Sequence, residues 1–284
     1  MANILLGKDV ADKATELLIE RVEKLKAKGI EPTLAIVRVG ENEDDLSYER
    51  GALKRAERVG VKVDVRVLPI DISQSAIEKE LEMINYDASI HGCLLFRPLP
   101  KHLNEKKVCD TLRPEKDVDG ITSASMAGIF MGVDTGFAPC TAEAAMAVLK
   151  HNDIPIKGAR AIVIGRSLVI GKPVAMMLLK ENATVTTCHT RTVDLPGVTR
   201  DGDIIIACAG AAEMVTAEHV KPGQTIIDVG INFTDDGRLV GDVAFDEVEP
   251  IVENITPVPR GVGSVTTTIL MQHVVEAAER ASMA

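Results

Sequence analysis

The chain has 284 residues, of which 46% are apolar, and carries a formal net charge of −10 with a pI near 5.2. This length allows a large core in one or two domains, and the acidic balance argues against nucleic-acid binding because no basic stripe is available to replace counterions. No apolar run approaches the roughly 18–20 residues that span a bilayer, and the first residues lack the features of a signal peptide. We therefore expect a cytoplasmic protein that binds neither nucleic acid nor membrane.

The cysteines and histidines argue against structural disulfides and metals. Five cysteines are scattered without a C-x-x-C spacing, and their odd number does not suit a disulfide framework. Together with the six histidines they form no cluster with metal-ligand spacing, so we expect no metal site.

The first half of the chain alternates predicted helices and strands. Helical spacing of apolar residues occurs over 8–28, from about 44 to 59, and over 73–85, and apolar or β-branched strands occur over 33–39, 61–68 and 90–95. The αβαβαβ order predicts a three-layer α/β domain. A helical stretch over 103–112, a turn-rich loop over 113–120 and a glycine-rich segment over 128–136 follow.

The second half predicts another parallel sheet. Thr141 is a candidate N-cap of a helix that reaches residue 150, and the predicted strands are 161–164, 183–187, 204–207 and 224–229. We place the first domain at residues 1–138 and the second, Rossmann-like domain at 139–264. The predicted helix 265–284 is expected to return to the first domain and complete it.

A strand, a glycine turn and a helix meet at residues 161–180. This arrangement leaves N–H groups free at a helix start, where phosphate binds well. Gly165 and Gly171 do not match the dinucleotide fingerprint, and Arg166 and Pro173 exclude a Walker A loop. A βα turn without any ligand remains the alternative.

Loops beyond the carboxyl ends of the strands are where ligands bind in open α/β sheets. The predicted loops fall around Tyr48, at 96–100 and 116–120 in the first domain, and at 165–171, 189–191, 208–210 and 230–232 in the second. A cleft between two such sheets would hold a dinucleotide on one wall and a second substrate on the other, as hydride transfer requires.

Eight motifs resemble the methylenetetrahydrofolate dehydrogenase/cyclohydrolase family in order and spacing. They are PLPKH (98–102), KDVDG (116–120), PCT (139–141), IGRSLVIGKP (164–173), ATVTTCHT (183–190), IDVGIN (227–232), GDVAF (241–245) and ITPVPRGVG (255–263). The resemblance implies an N-terminal folate-binding catalytic domain, a central NAD(P)-binding domain and a homodimer. The family oxidises 5,10-methylenetetrahydrofolate by hydride transfer and then hydrolyses the methenyl product.

The resemblance also implies the residues of the site. Tyr48 and Asp119 are the expected catalytic residues, Asp119 as the carboxylate that binds the pterin and Tyr48 beside it. The expected substrate-binding residues are Tyr48, Leu95, Phe96, Arg97, Asp119, Pro259, Gly261 and Gly263. The expected cofactor-binding residues are Thr141, Gly165, Arg166, Ser167, Gly171, Thr190, Arg191, Ala209, Gly210, Ile231 and Thr266.

Two positions depart from family members that have both activities. Those members carry Tyr-x-x-x-Lys and Val-Gln-Leu-Pro-Leu-Pro, whereas this chain has Ala52 four residues after Tyr48 and Phe96 at the glutamine position. At about 100° per residue, Ala52 lies about 40° from Tyr48 around a helix and Lys54 about 240°. We therefore predict a dehydrogenase with weak or absent cyclohydrolase activity, and a separate cyclohydrolase in the same pathway.

Two alternative functions stay open. Arg97, Lys54 or a shifted helix could replace the missing lysine, which would give a bifunctional dehydrogenase/cyclohydrolase. A non-catalytic folate- or nucleotide-binding protein on the same fold is the second alternative function.

Cofactor choice depends on charge near the glycine turn. An acid that binds the ribose and selects NAD would lie after the second strand of this unit, but the stretch from His189 to Val193 contains no acidic residue. Arg166 and Thr190 match family members that hold the 2′-phosphate of NADP with an arginine and a hydroxyl. NADP is therefore favoured, with NAD as the alternative. His189 is expected to cap or pack.

Two further loop positions carry expectations. Asp117 is expected to stabilise its own loop, although an Asx turn before Gly120 remains possible for Asp117 and Asp119. Arg260 and Ser264 replace a usual Gly and Pro of the family.

Overall fold

The computed structural model describes residues 1–283, apart from the side chain of Asp44. Its strands are β1 (Asn3–Ile4), β2 (Thr33–Val39), β3 (Lys62–Leu68), β4 (Gly92–Leu95), β5 (Arg160–Ile164), β6 (Thr184–Cys188), β7 (Ile204–Ala207), β8 (Thr225–Asp228), β9 (Asn232–Phe233), β10 (Leu239–Val240) and β11 (Asn254–Ile255). Its α-helices are α1 (Gly7–Lys26), α2 (Glu43–Val59), α3 (Gln74–Tyr86), α4 (Glu105–Cys109), α5 (Ser123–Met131), α6 (Cys140–His151), α7 (Gly171–Lys180), α8 (Leu195–Arg200), α9 (Phe245–Val248) and α10 (Thr266–Ala281).

Two compact units divide the chain. The N-terminal unit comprises Lys13–Cys140 and the chain from Thr267 onwards, and the central unit comprises Met1–Asp12 and Thr141–Thr266. Both are α/β, and the central unit has the Rossmann-like parallel sheet that the sequence predicts. Ala284, the last residue of the predicted terminal helix, lies outside the described residues. Among residues 1–283, every helix is too short or too polar to cross a bilayer.

The N-terminal unit is built on a parallel sheet in the order β3-β2-β4. All seven residues of β2 are buried because the strand is central and its sequence, TLAIVRV, is almost entirely apolar. Helix α3 buries Ile77, Leu81 and Ile84, whose spacing forms one helical face against that sheet. Because β2 and β4 are parallel, their carboxyl ends lie at the same edge of the sheet.

Helix α10 belongs to the N-terminal unit through side-chain contacts. Arg21 of α1 forms an ion pair with Glu279 at 2.6 Å, and Arg280 donates to the carbonyl of Gly136 at 3.2 Å. The Arg280 guanidinium also lies 4.6 Å from the Phe137 ring centroid. These contacts attach the last helix to α1 and to the loop that precedes α6.

The central unit has a six-stranded sheet in the order β1-β11-β8-β7-β5-β6, and all its strand pairs are parallel. The chain leaves β5 for β6 on one side and then crosses to β7 on the other. This reversal is a topological switch point, where ligands bind in such sheets beyond the carboxyl ends of the strands.

The first residues of the chain lie in the central unit, whereas the sequence assigned them to the first domain. Asn3 pairs with Asn254 in a parallel ladder, and the two side-chain amides are bonded at 3.1 Å. Each of these strands has two residues. Hydrophobic periodicity cannot identify strands of that length.

Candidate functional site

An edge-to-face pair of aromatic rings marks the carboxyl edge of the N-terminal sheet. Tyr48 on α2 is half-buried, and Phe96 follows β4 directly, with its N–H donated to the Val37 carbonyl at 2.9 Å. The two ring centroids lie 5.9 Å apart at an interplanar angle of 85°, the geometry that favours attraction between a ring edge and a ring face. The structure thus brings together Tyr48, Phe96 and the buried Leu95.

The environment of this pair is apolar at both departure positions. Ala52 is 0% exposed and Phe96 is 9% exposed. Lys54 is exposed on α2, and Arg97 is half-buried. A buried methyl group and a phenyl ring can neither donate nor accept a proton, so these two positions supply no acid–base group.

Asp117 stabilises its loop, which confirms that expectation. Its carboxylate is fully buried and accepts hydrogen bonds from the N–H groups of Ile121 (2.9 Å) and Thr122 (2.8 Å) and from the Ser125 hydroxyl (2.6 Å). Three donors satisfy the charge of this buried group. The N–H of Ile121, the donor of an Asx turn at Asp119, is thereby bonded to Asp117.

Asp119 connects the same loop to the start of α6. It is half-buried, and its Oδ1 accepts the N–H of Cys140 at 3.4 Å. Burial raises the pKa of the Asp119 carboxyl, and this effect is opposed by the bonds from Cys140 and by the positive charge of Arg97. The N-cap prediction for Thr141 was wrong, because α6 already begins at Cys140 and Thr141 lies in its first turn.

The backbone before Asp119 is held by the C-terminal helix. His273 of α10 is buried, and its Nδ1 donates to the Val118 carbonyl at 2.8 Å. The Cys140 thiol donates to the same oxygen at 3.3 Å. Sequence reasoning missed His273 because it lies 155 residues from Val118 along the chain, and a lone histidine on an apolar helix carries no motif.

In the central unit, two glycines allow the turn after β5 to pack tightly at the switch point. Gly165 has φ +137°, and a β-carbon there would lie 2.3 Å from the Cys208 carbonyl oxygen. A β-carbon at Gly171 would lie 2.4 Å from the Gly165 carbonyl oxygen. Ser167 completes the turn, because its hydroxyl accepts the N–H groups of Ile170 (3.1 Å) and Gly171 (3.4 Å).

Exposed cationic and hydroxyl side chains follow the two neighbouring strands β5 and β6. Arg166 follows β5 and Thr190 and Arg191 follow β6, and all three are exposed. His189 caps this second turn by accepting the Arg191 N–H at 3.1 Å, as expected. Guanidinium and hydroxyl donors beside a βα turn fit the phosphates of a dinucleotide.

Four more of the residues expected to bind the cofactor lie on two loops of the central unit and at the start of α10. Ala209 and Gly210 follow β7 and Ile231 follows β8, and all three are exposed. Thr266, the first residue of α10, is buried and donates to the Gly263 carbonyl at 3.1 Å.

The Pro259–Gly263 loop contains one non-glycine residue in the left-handed region. Arg260 has φ +82°, where relatives of this motif usually have glycine, and its carbonyl accepts the Gly7 N–H at 2.9 Å. A β-carbon at Gly261 would lie 2.3 Å from the Pro257 carbonyl oxygen. This loop therefore requires a tight backbone path beside the start of α1.

Two buried carboxylates of the central unit were missed in the sequence. Asp228 ends β8, Asp242 follows β10, and both are at most 3% exposed. Burial raises the pKa of Asp228 to about 7, against the lowering effect of three backbone N–H bonds. The glycines Gly230 in the DVG sequence and Gly241 in the GDV sequence were the available indication that another group approaches closely.

Two family models match successive parts of the chain. Residues 5–119 match the catalytic domain of tetrahydrofolate dehydrogenase/cyclohydrolase, and residues 139–282 match the NAD(P)-binding domain of the same family.

Individual relatives cover almost the whole chain. The "Bifunctional protein FolD" of Carboxydothermus hydrogenoformans is 54% identical over 281 residues, which are 98% of each chain. The crystal structure of the bifunctional FolD enzyme of Campylobacter jejuni has a TM-score of 0.96 at 38% identity and covers 99% of both chains. The Trypanosoma brucei enzyme, complexed with NADP and an inhibitor, has a TM-score of 0.92 at 33% identity and covers 100% of this chain and 99% of its own. The chain therefore belongs to the tetrahydrofolate dehydrogenase/cyclohydrolase family, as an oxidoreductase of one-carbon folate metabolism with an NAD(P)-binding domain.

Proposed function

We propose that the protein is an NADP-dependent 5,10-methylenetetrahydrofolate dehydrogenase whose cyclohydrolase activity is weak or absent. The observation that carries the proposal is the apolar environment of Tyr48, formed by the fully buried Ala52 and by Phe96. Family members with both activities have a lysine and a glutamine at these two positions.

Oxidation of the substrate does not require an acid–base group beside Tyr48. The one-carbon bridge loses hydride with help from its adjacent nitrogens, so the step needs alignment and a complementary field but no obligatory side-chain base. Asp119 in its ionised form accepts the N–H groups of the pterin edge, and Tyr48 orients the ring beside Phe96. NADP, when bound, supplies the hydride acceptor.

Hydrolysis of the methenyl product requires protons to move. Water must be deprotonated as it adds to the methenyl carbon, and a ring nitrogen must be protonated as the carbon–nitrogen bond breaks. A positioned acid–base group typically contributes about 10²–10⁴-fold to such steps. Ala52 and Phe96 contribute none, and Lys54 is exposed on α2.

The preference for NADP rests on the charge at the ends of β5 and β6. Arg166 and Thr190 are both exposed there and provide a cation and a hydroxyl for a 2′-phosphate. The Trypanosoma brucei relative, which was solved with NADP, supports the same choice. NAD remains the alternative cofactor.

Four accompanying features belong to the proposal. The cofactor-binding domain is 139–264, and the folate-binding domain is 1–138 completed by the segment 265–284, although the first strand pairs with the sheet of the central unit. The protein acts as a homodimer in the cytoplasm. A separate cyclohydrolase consumes its methenyl product.

One observation favours the bifunctional alternative: the Carboxydothermus relative, at 54% identity, is named bifunctional. In that case Arg97 or Lys54 would supply the missing acid–base group. A folate- or nucleotide-binding protein without turnover is the second alternative.

A paired assay on the purified full chain tests the proposal. Methylenetetrahydrofolate oxidation is followed with NADP and with NAD by absorbance at 340 nm, and methenyltetrahydrofolate hydrolysis is compared with a buffer control. We expect reduced cofactor, faster with NADP, and accumulating methenyl product. Fast enzymatic hydrolysis would favour the bifunctional enzyme, and no reduction of either cofactor would favour the binding protein.

A further inference from the structure

The loop after β7, residues 208–211, directs three successive backbone N–H groups at one carboxylate. Asp242 accepts the N–H of Ala209 at 2.5 Å and of Gly210 at 3.0 Å through Oδ2, and the N–H of Ala211 at 2.9 Å through Oδ1. Successive N–H groups that converge in this way form a concavity that binds anions. Here the bound anion is the side chain of the protein itself.

Asp242 is held in this position from its other side. Its Oδ1 also accepts the Asn232 side-chain amide at 2.9 Å. Its own N–H donates to Asp228 Oδ1 at 3.0 Å, and the next N–H, of Val243, donates to Asp228 Oδ2 at 3.0 Å. A β-carbon at Gly241 would lie 1.8 Å from Asp228 Oδ2, so only glycine allows this approach.

We propose that Asp242 is a positioning residue of the cofactor site, which fixes the 208–211 loop, and that Asp228 fixes Asp242 in turn. This inference rests on the proposed function, because Ala209 and Gly210 are expected to contact the cofactor. Since their N–H groups bond to Asp242, the loop binds no phosphate. The phosphates of the cofactor then bind at the turn after β5 and at the end of β6.

Burial makes this arrangement sensitive to substitution. Asp242 is 0% exposed, so no water replaces a lost acceptor. In Asp242→Asn, an amide NH₂ would face N–H donors, and at least one backbone group would lose its partner. We expect the loop to move and the dissociation constant for NADP to rise about tenfold or more.

Two other aspartates provide matched controls. Asp203 also accepts a backbone N–H, that of Arg160 at 2.8 Å, but it is exposed and precedes β7 at the opposite end of the same strand. Asp117 is as buried as Asp242 and has three donors, but it lies in the N-terminal unit. Asp117→Asn therefore reproduces the loss of a buried carboxylate without touching the 208–211 loop.

The experiment compares the full-length wild type with Asp242→Asn, Asp228→Asn, Asp203→Asn and Asp117→Asn. NADP affinity is measured by titration calorimetry and folding by thermal unfolding. We expect weaker NADP binding in Asp242→Asn and Asp228→Asn only. Asp117→Asn should lower the melting temperature, as these two variants do, but leave NADP binding unchanged. KM for the cofactor should rise in Asp242→Asn, with KM for the folate changed less than twofold.

If Asp242→Asn does not fold, amide hydrogen exchange of the wild type tests whether Asp242 fixes the 208–211 loop. The amides of residues 209–211 should exchange slowly without cofactor, although Ala209 and Gly210 are exposed. Fast exchange there, or a folded Asp242→Asn with NADP affinity within twofold of the wild type, would overturn the inference. Failure of wild-type protein to bind NADP or NAD would instead refute the proposed function.

Discussion

At the scale of single residues, burial adjusts the chemistry of Asp119 and raises the pKa of its carboxyl above the ordinary value of 3.8. In the function proposed above, this carboxylate accepts the pterin N–H groups only when ionised. The affinity for folate should therefore fall as pH falls, beginning above the range of an exposed aspartate. KM for methylenetetrahydrofolate measured against pH tests this expectation.

The control for this prediction is Asp119→Asn. This variant should have a high KM for the folate that no longer changes over the same pH range, because the titrating group is gone. An unchanged pH profile in the variant would assign the titration to another group.

Arg166 carries a second prediction at this scale. Arg166→Ala removes an exposed guanidinium beside the β5 turn, so KM for NADP should rise by about 10- to 100-fold, the effect of losing one charged hydrogen bond. KM for NAD should stay nearly constant. Arg160→Ala, at the other end of β5, is the matched control and should change neither value. Equal losses for both cofactors would exclude a role in 2′-phosphate recognition.

The sequence predicts individual roles well where a motif places a residue type in a loop. Asp117 was expected to hold its loop, and His189 to cap or pack, and their bonds confirm both roles. Asp242 was not found, because its bonds to residues 209–211 span about 30 positions of sequence. His273 was missed for the same reason.

At the scale of elements, the loop that precedes α10 contains one residue with a strained backbone conformation. Arg260 adopts φ +82°, a region that costs a residue with a β-carbon about 1–2 kcal/mol. Arg260→Gly should therefore stabilise the protein by up to about 1 kcal/mol, since the larger entropy of glycine in the unfolded chain offsets part of the gain. Thermal unfolding measures the change, and Arg200→Gly in α8 should destabilise instead.

Helices and strands whose apolar residues recur with a clear period were predicted from the sequence, and those without such a period were not. The strand β2 and the helix α3 lie within about a residue of the predicted ranges. Helix α5 was not predicted: its last residues fall in the segment 128–136, which is rich in glycine, and it has no single apolar face, since Phe130 and Met131 are 76% and 63% exposed. Strands β1 and β11 have two residues each, and they are defined by pairing alone, β1 with β11 and β11 with β8.

At the scale of the whole molecule, the buried Asp228 makes stability depend on pH. Its pKa is raised from 3.8 to about 7, so between these values the folded state holds a proton that the unfolded state has lost. This contribution to stability is complete below about pH 4 and is lost as pH rises towards 7. At about 1.4 kcal/mol per pKa unit it amounts to at most about 4 kcal/mol.

The Asp228→Asn variant isolates this contribution. As pH rises from 4 to 7, the melting temperature of the wild type should fall relative to that of Asp228→Asn. Melting curves at several pH values provide the measurement. A difference that is constant with pH would show that Asp228 does not titrate in this range.

The central claim concerns the pair Ala52 and Phe96, and a single rate tests it most directly: enzymatic hydrolysis of 5,10-methenyltetrahydrofolate by the wild type and by Ala52→Lys/Phe96→Gln. The wild type should hydrolyse the compound no faster than buffer. The double variant should gain about 100-fold or more over the wild type while it still reduces NADP. Rapid hydrolysis by the wild type that is lost in Lys54→Ala or Arg97→Ala would contradict the claim and make the protein bifunctional.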